Sequence, residues 1–128
     1  MKRKYVILLA FIAVAFVSKA QTDTTAKLQD AHNQWLVFNS TGQSDTTVFT
    51  AMAADYNSVL GTDTLNASAN NGMADIYGSL SNYWYNLAMP LQSSNPSLYN
   101  TYIQQSNTYS ALAAPYQQRY LRIKGISN

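Results

Sequence analysis

The chain has 128 residues, with eight Lys or Arg against six acids and a formal net charge of +2 at pH 7. It has no cysteine, which excludes disulfides, thiolate metal sites, a cysteine nucleophile and a lipidated N-terminal cysteine. One histidine and no glutamate leave little for acid–base or metal chemistry, and no phosphate loop, nucleophile elbow, zinc signature or calcium loop is present.

Residues 1–20 read as a cleavable signal peptide. Lys2, Arg3 and Lys4 form a positive start, and Tyr5 to Val17 is an apolar run too short to span a bilayer comfortably. Ser18-Lys19-Ala20 supplies the small residues that flank a cut after Ala20. The expected product is exported to the periplasm or the extracellular space, with no membrane span after cleavage. Cleavage removes Lys2, Arg3, Lys4 and Lys19. Lys27, Arg119, Arg122 and Lys124 then face six Asp, a net charge of −2. That balance offers no electrostatic case for nucleic acid. The remaining 21–128 are enough for a single helical domain with a modest core.

In chain order, Thr22 or Asp23 is placed to cap a first helix, whose face is Leu28, Ala31, Trp35 and Phe38, widened by Leu36 and Val37. Asn39-Ser40-Thr41-Gly42 stops it. Ser44 and Asp45 open a second helix with the face Phe49, Ala53, Tyr56 and Leu60, Met52 and Val59 lying beside it; Gly61 marks its end. Asp63 is the expected cap of a third. The small, polar run Asn66–Gly72 reads as a frayed or broken start, since Asn70-Asn71-Gly72 resembles a turn. From Met73 the pattern is clear: Met73, Ile76, Leu80, Tyr83 and Leu87, ended by Pro90. Asn95 and Pro96 then suit the cap and first position of a fourth helix.

That last helix carries the most specific pattern in the chain. Tyr99, Tyr102, Ser106, Tyr109, Ala113, Tyr116, Tyr120 and Ile123 form one unbroken stripe, and the other helices are expected to pack onto it. Pro115 lies inside the helix, yet the stripe keeps phase across it, so a kinked continuous helix is expected. Arg119, Arg122 and Lys124 crowd the C-terminal end, where cations favour the helix dipole. No segment alternates with period two, so no strand is expected. The fold class is all-α: a small bundle of about four helices with the longest at the C-terminus. The expected core is Leu28, Trp35, Phe38, Phe49, Met52, Tyr56, Leu60, Ile76, Leu80, Leu87, Tyr102, Tyr109, Leu112, Tyr116 and Ile123.

The tyrosine stripe has a structural reading, a core face whose hydroxyls reach polar partners. Its functional reading is an aromatic groove that stacks on a sugar or a peptide. The groove reading makes Tyr99, Tyr102, Tyr109, Tyr116, Tyr120 and Trp84 the ligand-binding residues. Packing of copies into a homo-oligomer is a third use for the same rings. His32, Asp55 and Asp75 are the candidates for acid–base chemistry, but His32 and Asp30 are two apart on a helix and point away from each other. No catalytic residue, metal ligand or cofactor is assigned. The expected function is therefore an exported, non-enzymatic protein of structural or interaction type. The alternative is a periplasmic or secreted ligand-binding protein, with a protein or carbohydrate partner in either case.

Overall fold

The computed structural model describes residues 23–41 and 46–126. The signal peptide, Thr22, Gly42 and the Ser44–Asp45 helix start lie outside these residues. Every regular element described is helical: α1 over 23–40, α2 Thr46–Thr62, α3 Ala67–Ala88, a 3-10 turn Met89–Leu91, and α4 Pro96–Ile123, the longest.

Cross-helix partners run in opposite directions, so each helix is antiparallel to the next. Lys27 bonds Ser58 and Phe38 meets Phe49 across α1 and α2. Tyr56 lies on Gly72 and Phe49 meets Tyr77 across α2 and α3. Trp84 meets Tyr102, Ser81 meets Ser106 and Tyr77 meets Tyr109 across α3 and α4.

The core is Phe38 of α1, Met52, Val59 and Leu60 of α2, and Ala69, Met73 and Ile76 of α3, with Leu28, Trp35, Phe49, Tyr56, Tyr77 and Tyr116 packed on it. The centre is α3, not the tyrosine helix. Among the described residues α3 buries seven side chains or glycines, whereas α4 fully buries only Ser106 and Ala113. Of the pairs among α2, α3 and α4, the α3–α4 contact is the most extensive. The stripe of α4 does face inward, chiefly onto α3, but its rings are only half-buried.

Two small residues set that approach. Ser81 Oγ donates to the Ser106 carbonyl and Ser106 Oγ donates to the Ser81 carbonyl, both at 2.9 Å. The reciprocal pair satisfies two hydroxyls at a crossing too close for larger side chains.

Several local expectations change. Leu87 (38% exposed), Leu112 (43%), Leu36 (55%) and Val37 (50%) are outside the core, because no helix covers the sides of α1, α3 and α4 on which they lie. On α2 the buried residues are Met52, Val59 and, as expected, Leu60, with Phe49, Ala53 and Tyr56 at partial burial. Gly61 does not end α2, which runs to Thr62. Asp23 is already inside α1.

The Asn66–Gly72 run is helix, not turn. Asn66, rather than Asp63, is the cap, its side chain accepting from Ala69 N at 3.0 Å. Asp63 instead accepts from Leu65 N in the preceding turn. Asn70 is fully buried and donates to the Thr64 and Asn66 carbonyls, tying that turn to α3. Gly72 is buried against the Tyr56 ring; a Cβ there would come within 2.3 Å of it.

The ends of α4 follow local rules. Asn95 accepts from Leu98 N at 3.2 Å, with Pro96 in the first turn. At the other end Gly125 has φ +71°; its N–H reaches the Arg122 carbonyl and that of Ile126 reaches Leu121. This is the Schellman closure that glycine permits at low cost. Between them α4 continues through Pro115.

Candidate functional site

A groove of about 500 Å³ lies between α1, α3 and α4. Its floor is α3, where Asn71, Asp75, Gly78 and Asn82 follow one another at helical spacing with Ala74 and Ser79 beside them. Trp35 of α1 forms one wall; Gln117, Tyr120 and Leu121 of α4 form the other. The volume falls within the roughly 300–1,000 Å³ of small-molecule sites.

Asn71 Nδ2 donates to Asp75 Oδ2 at 3.2 Å, one helical turn along. Desolvation in the groove raises the Asp75 carboxyl above its ordinary value. Among the described residues, nothing positive lines the groove.

Gly78 is the least expected residue of the floor. A Cβ there would meet nothing within 4 Å, unlike one at Gly72. A helix-interior glycine costs about 0.5–1 kcal/mol relative to alanine, and packing does not require this one. Its effect is to keep the floor low.

A second, smaller recess of about 310 Å³ lies between α1, α2 and the start of α3, lined by Thr25, Leu28, Gln29, His32, Tyr56 and Ser68. His32 and Asp75 therefore border different recesses. Burial raises the Tyr56 hydroxyl above its ordinary value, and the charges of Asp75 and then Asp55 push it further.

Asp55 belongs to a third cluster. Gln34 Nε2 donates to Asp30 Oδ2 at 2.9 Å and reaches Asp55 Oδ2 at 3.5 Å. Burial raises the Asp55 carboxyl, the hydrogen bond and charge of Asp30 add to this, and Lys27 and Gln34 oppose it. Asp55 and Asp75 thus have different immediate partners.

The sequence-derived binding residues are divided among three places. Tyr120 lines the groove. Tyr109 and Tyr116 both meet Tyr77, at ring centroid distances of 6.3 and 6.0 Å, continuing a chain of rings from Trp35 through Phe38 and Phe49. Arg119 lies over the Tyr116 ring at 4.9 Å. Trp84 sits between Tyr102 and Tyr83, toward the start of α4, and Tyr99 is half-buried one turn before Tyr102.

Asn71, Ser79, Asn82 and Gln117 are outside the binding set expected from the sequence, and Trp35, expected in the core, lines the groove as well as packing on the core. The available signal was the small and polar line Asn71, Asp75, Gly78 and Asn82 on an otherwise aromatic helix.

Comparison of the chain with protein-family models, curated proteins and solved structures finds no match in any of the three.

Proposed function

We propose that this protein is an exported, non-enzymatic interaction module that holds a small ligand, or an exposed part of a larger partner, in the groove between α1, α3 and α4. The observation that carries the reading is the groove itself: aromatic walls at Trp35 and Tyr120, a line of hydrogen-bonding side chains, and an unforced glycine at its floor. Sites of this kind bind by stacking on rings and orienting through a few polar groups. The titratable groups that acid–base chemistry would use do not converge on one recess: Asp75 lines the groove, His32 the smaller recess and Asp55 the Gln34–Asp30 cluster, with Tyr56 feeling the charges of Asp75 and Asp55. No helix among the described residues is long and apolar enough to cross a membrane. The export part of the proposal rests on Lys2 to Ala20.

The test is thermal unfolding of the protein against a library of small polar ligands, peptides and oligosaccharides, beside Gly78→Leu. A groove ligand at ten times its Kd adds about 1.4 kcal/mol, a rise in Tm of roughly 5–10 °C for a domain of this size. That rise should disappear in Gly78→Leu, and the ligand should be recovered unaltered. A ligand that stabilises both proteins equally would remove the groove from the reading; conversion of the ligand would remove its non-enzymatic part.

A further inference from the structure

Resting on the groove as the contact site, we propose that its ligand is a neutral oligosaccharide, one ring of which stacks between Trp35 and Tyr120. Asn71, Asp75, Asn82 and Gln117 serve its hydroxyls.

The choice follows from what lines the recess. Three of the four polar groups named are primary amides, each able to donate and to accept. A sugar hydroxyl also does both, so neighbouring hydroxyls can satisfy an amide's two ends together. Asp75 adds an acceptor held in place by Asn71. A phosphate, sulfate or uronic acid would meet the Asp75 carboxylate with no Lys, Arg or His among the described lining residues to balance it. An ammonium ligand has only donors, so it would offer the amide N–H groups of the exposed Asn82 and Gln117 no acceptor of its own. An apolar peptide side chain would bury these polar groups unpaired. The two aromatic walls match the remaining feature of a pyranose, its face of C–H groups.

Gly78 supports the same occupant. The ring must lie against the backbone of α3 to reach both walls and the polar line, and a side chain at this position would occupy that space. The open surroundings of its absent Cβ show that no neighbouring side chain takes up the room.

The experiment uses the full protein carrying Trp84→Phe, so that fluorescence reports Trp35 alone of the two tryptophans. Maltotetraose, cellotetraose, chitotetraose, oligogalacturonate and tetralysine are titrated in turn. At least one neutral oligosaccharide should give a saturable change, weakened at least about tenfold by Gly78→Leu and by Asn82→Ala. The exposed control Tyr85→Ala should leave it unchanged. Oligogalacturonate should bind at least about tenfold more weakly than the neutral ligand.

No saturable response to any neutral oligosaccharide up to about 10 mM, with tetralysine or oligogalacturonate binding in a Gly78-sensitive way, would overturn the sugar and keep the groove. Neutral saccharide binding that Gly78→Leu leaves intact would put the sugar elsewhere and overturn the proposal. Loss of Gly78 sensitivity for every probe would overturn the groove reading beneath it.

Discussion

Gly72→Ala offers the sharpest test of how α2 and α3 meet. In an open helix interior this change should stabilise by about 0.5–1 kcal/mol, the difference in helix propensity. Here the new Cβ would lie 2.3 Å from the Tyr56 ring, with two further ring atoms at 2.6 Å. The ring must swing away, giving up its packing on the core. Overpacking of this kind costs about 1–3 kcal/mol, so the net effect should be a destabilisation of roughly 1–2 kcal/mol after the propensity gain. In a Tyr56→Ala background the obstacle is gone and the sign should reverse, Gly72→Ala stabilising by about 0.5–1 kcal/mol. The coupling between the two changes is then about 1.5–3 kcal/mol, in the upper part of the range for residues in contact. Urea unfolding of the four proteins, followed by far-UV circular dichroism, measures each step. Equal stabilisation by Gly72→Ala in both backgrounds would refute the close approach of α2 to α3.

Ser106→Ala should cost about 1 kcal/mol, since it removes the hydroxyl that donates to the Ser81 carbonyl while leaving the residue-106 carbonyl to accept from Ser81 Oγ, while Ser106→Leu should cost about 3 kcal/mol by forcing α3 and α4 apart; denaturant midpoints rank the two. Tyr109 is half-buried against Tyr77 rather than enclosed. Tyr109→Ala should therefore cost about 1.5–3 kcal/mol, below the 3–5 kcal/mol of a fully buried ring, and Tyr109→Phe should lie within about 0.5 kcal/mol of the parent. A Tyr109→Ala change as small as that of a surface site would show the ring pair contributes nothing. Asp55 and Asp75 have folded pKa values raised above their unfolded ones. The folded state therefore binds their protons more tightly, so their contribution to stability is greatest at acid pH and is lost as pH rises through the raised values. Asp55→Asn should flatten that part of the stability curve and leave the protein more stable at neutral pH. Unfolding midpoints across the acid-to-neutral range check this, and a parent curve that rises with pH over the same window would contradict it.

Much of the helical organisation was legible in the residues because helix signals are local. The 3-4 spacing on each helix, Asn95-Pro96 at the start of α4, Pro90 after α3 and Gly125 after α4 act within a turn or two of chain. The inward face of α4 was legible for the same reason, and its phase survives Pro115. Other features depend on what another helix brings. Asn70-Asn71-Gly72 resembles a turn in isolation, but Asn66 caps it, Asn70 is buried and Tyr56 of α2 fills the space over Gly72. Leu87 and Leu112 fit an apolar face by spacing and remain exposed because no neighbour reaches them. The central position of α3 and the groove also belong to tertiary structure. Trp35, Asp75 and Tyr120 lie far apart in sequence, and only the packing of α1, α3 and α4 together places them around one recess. Periodicity determines which side of a helix is apolar; the number and position of covering neighbours determine how deeply each residue on that side is buried.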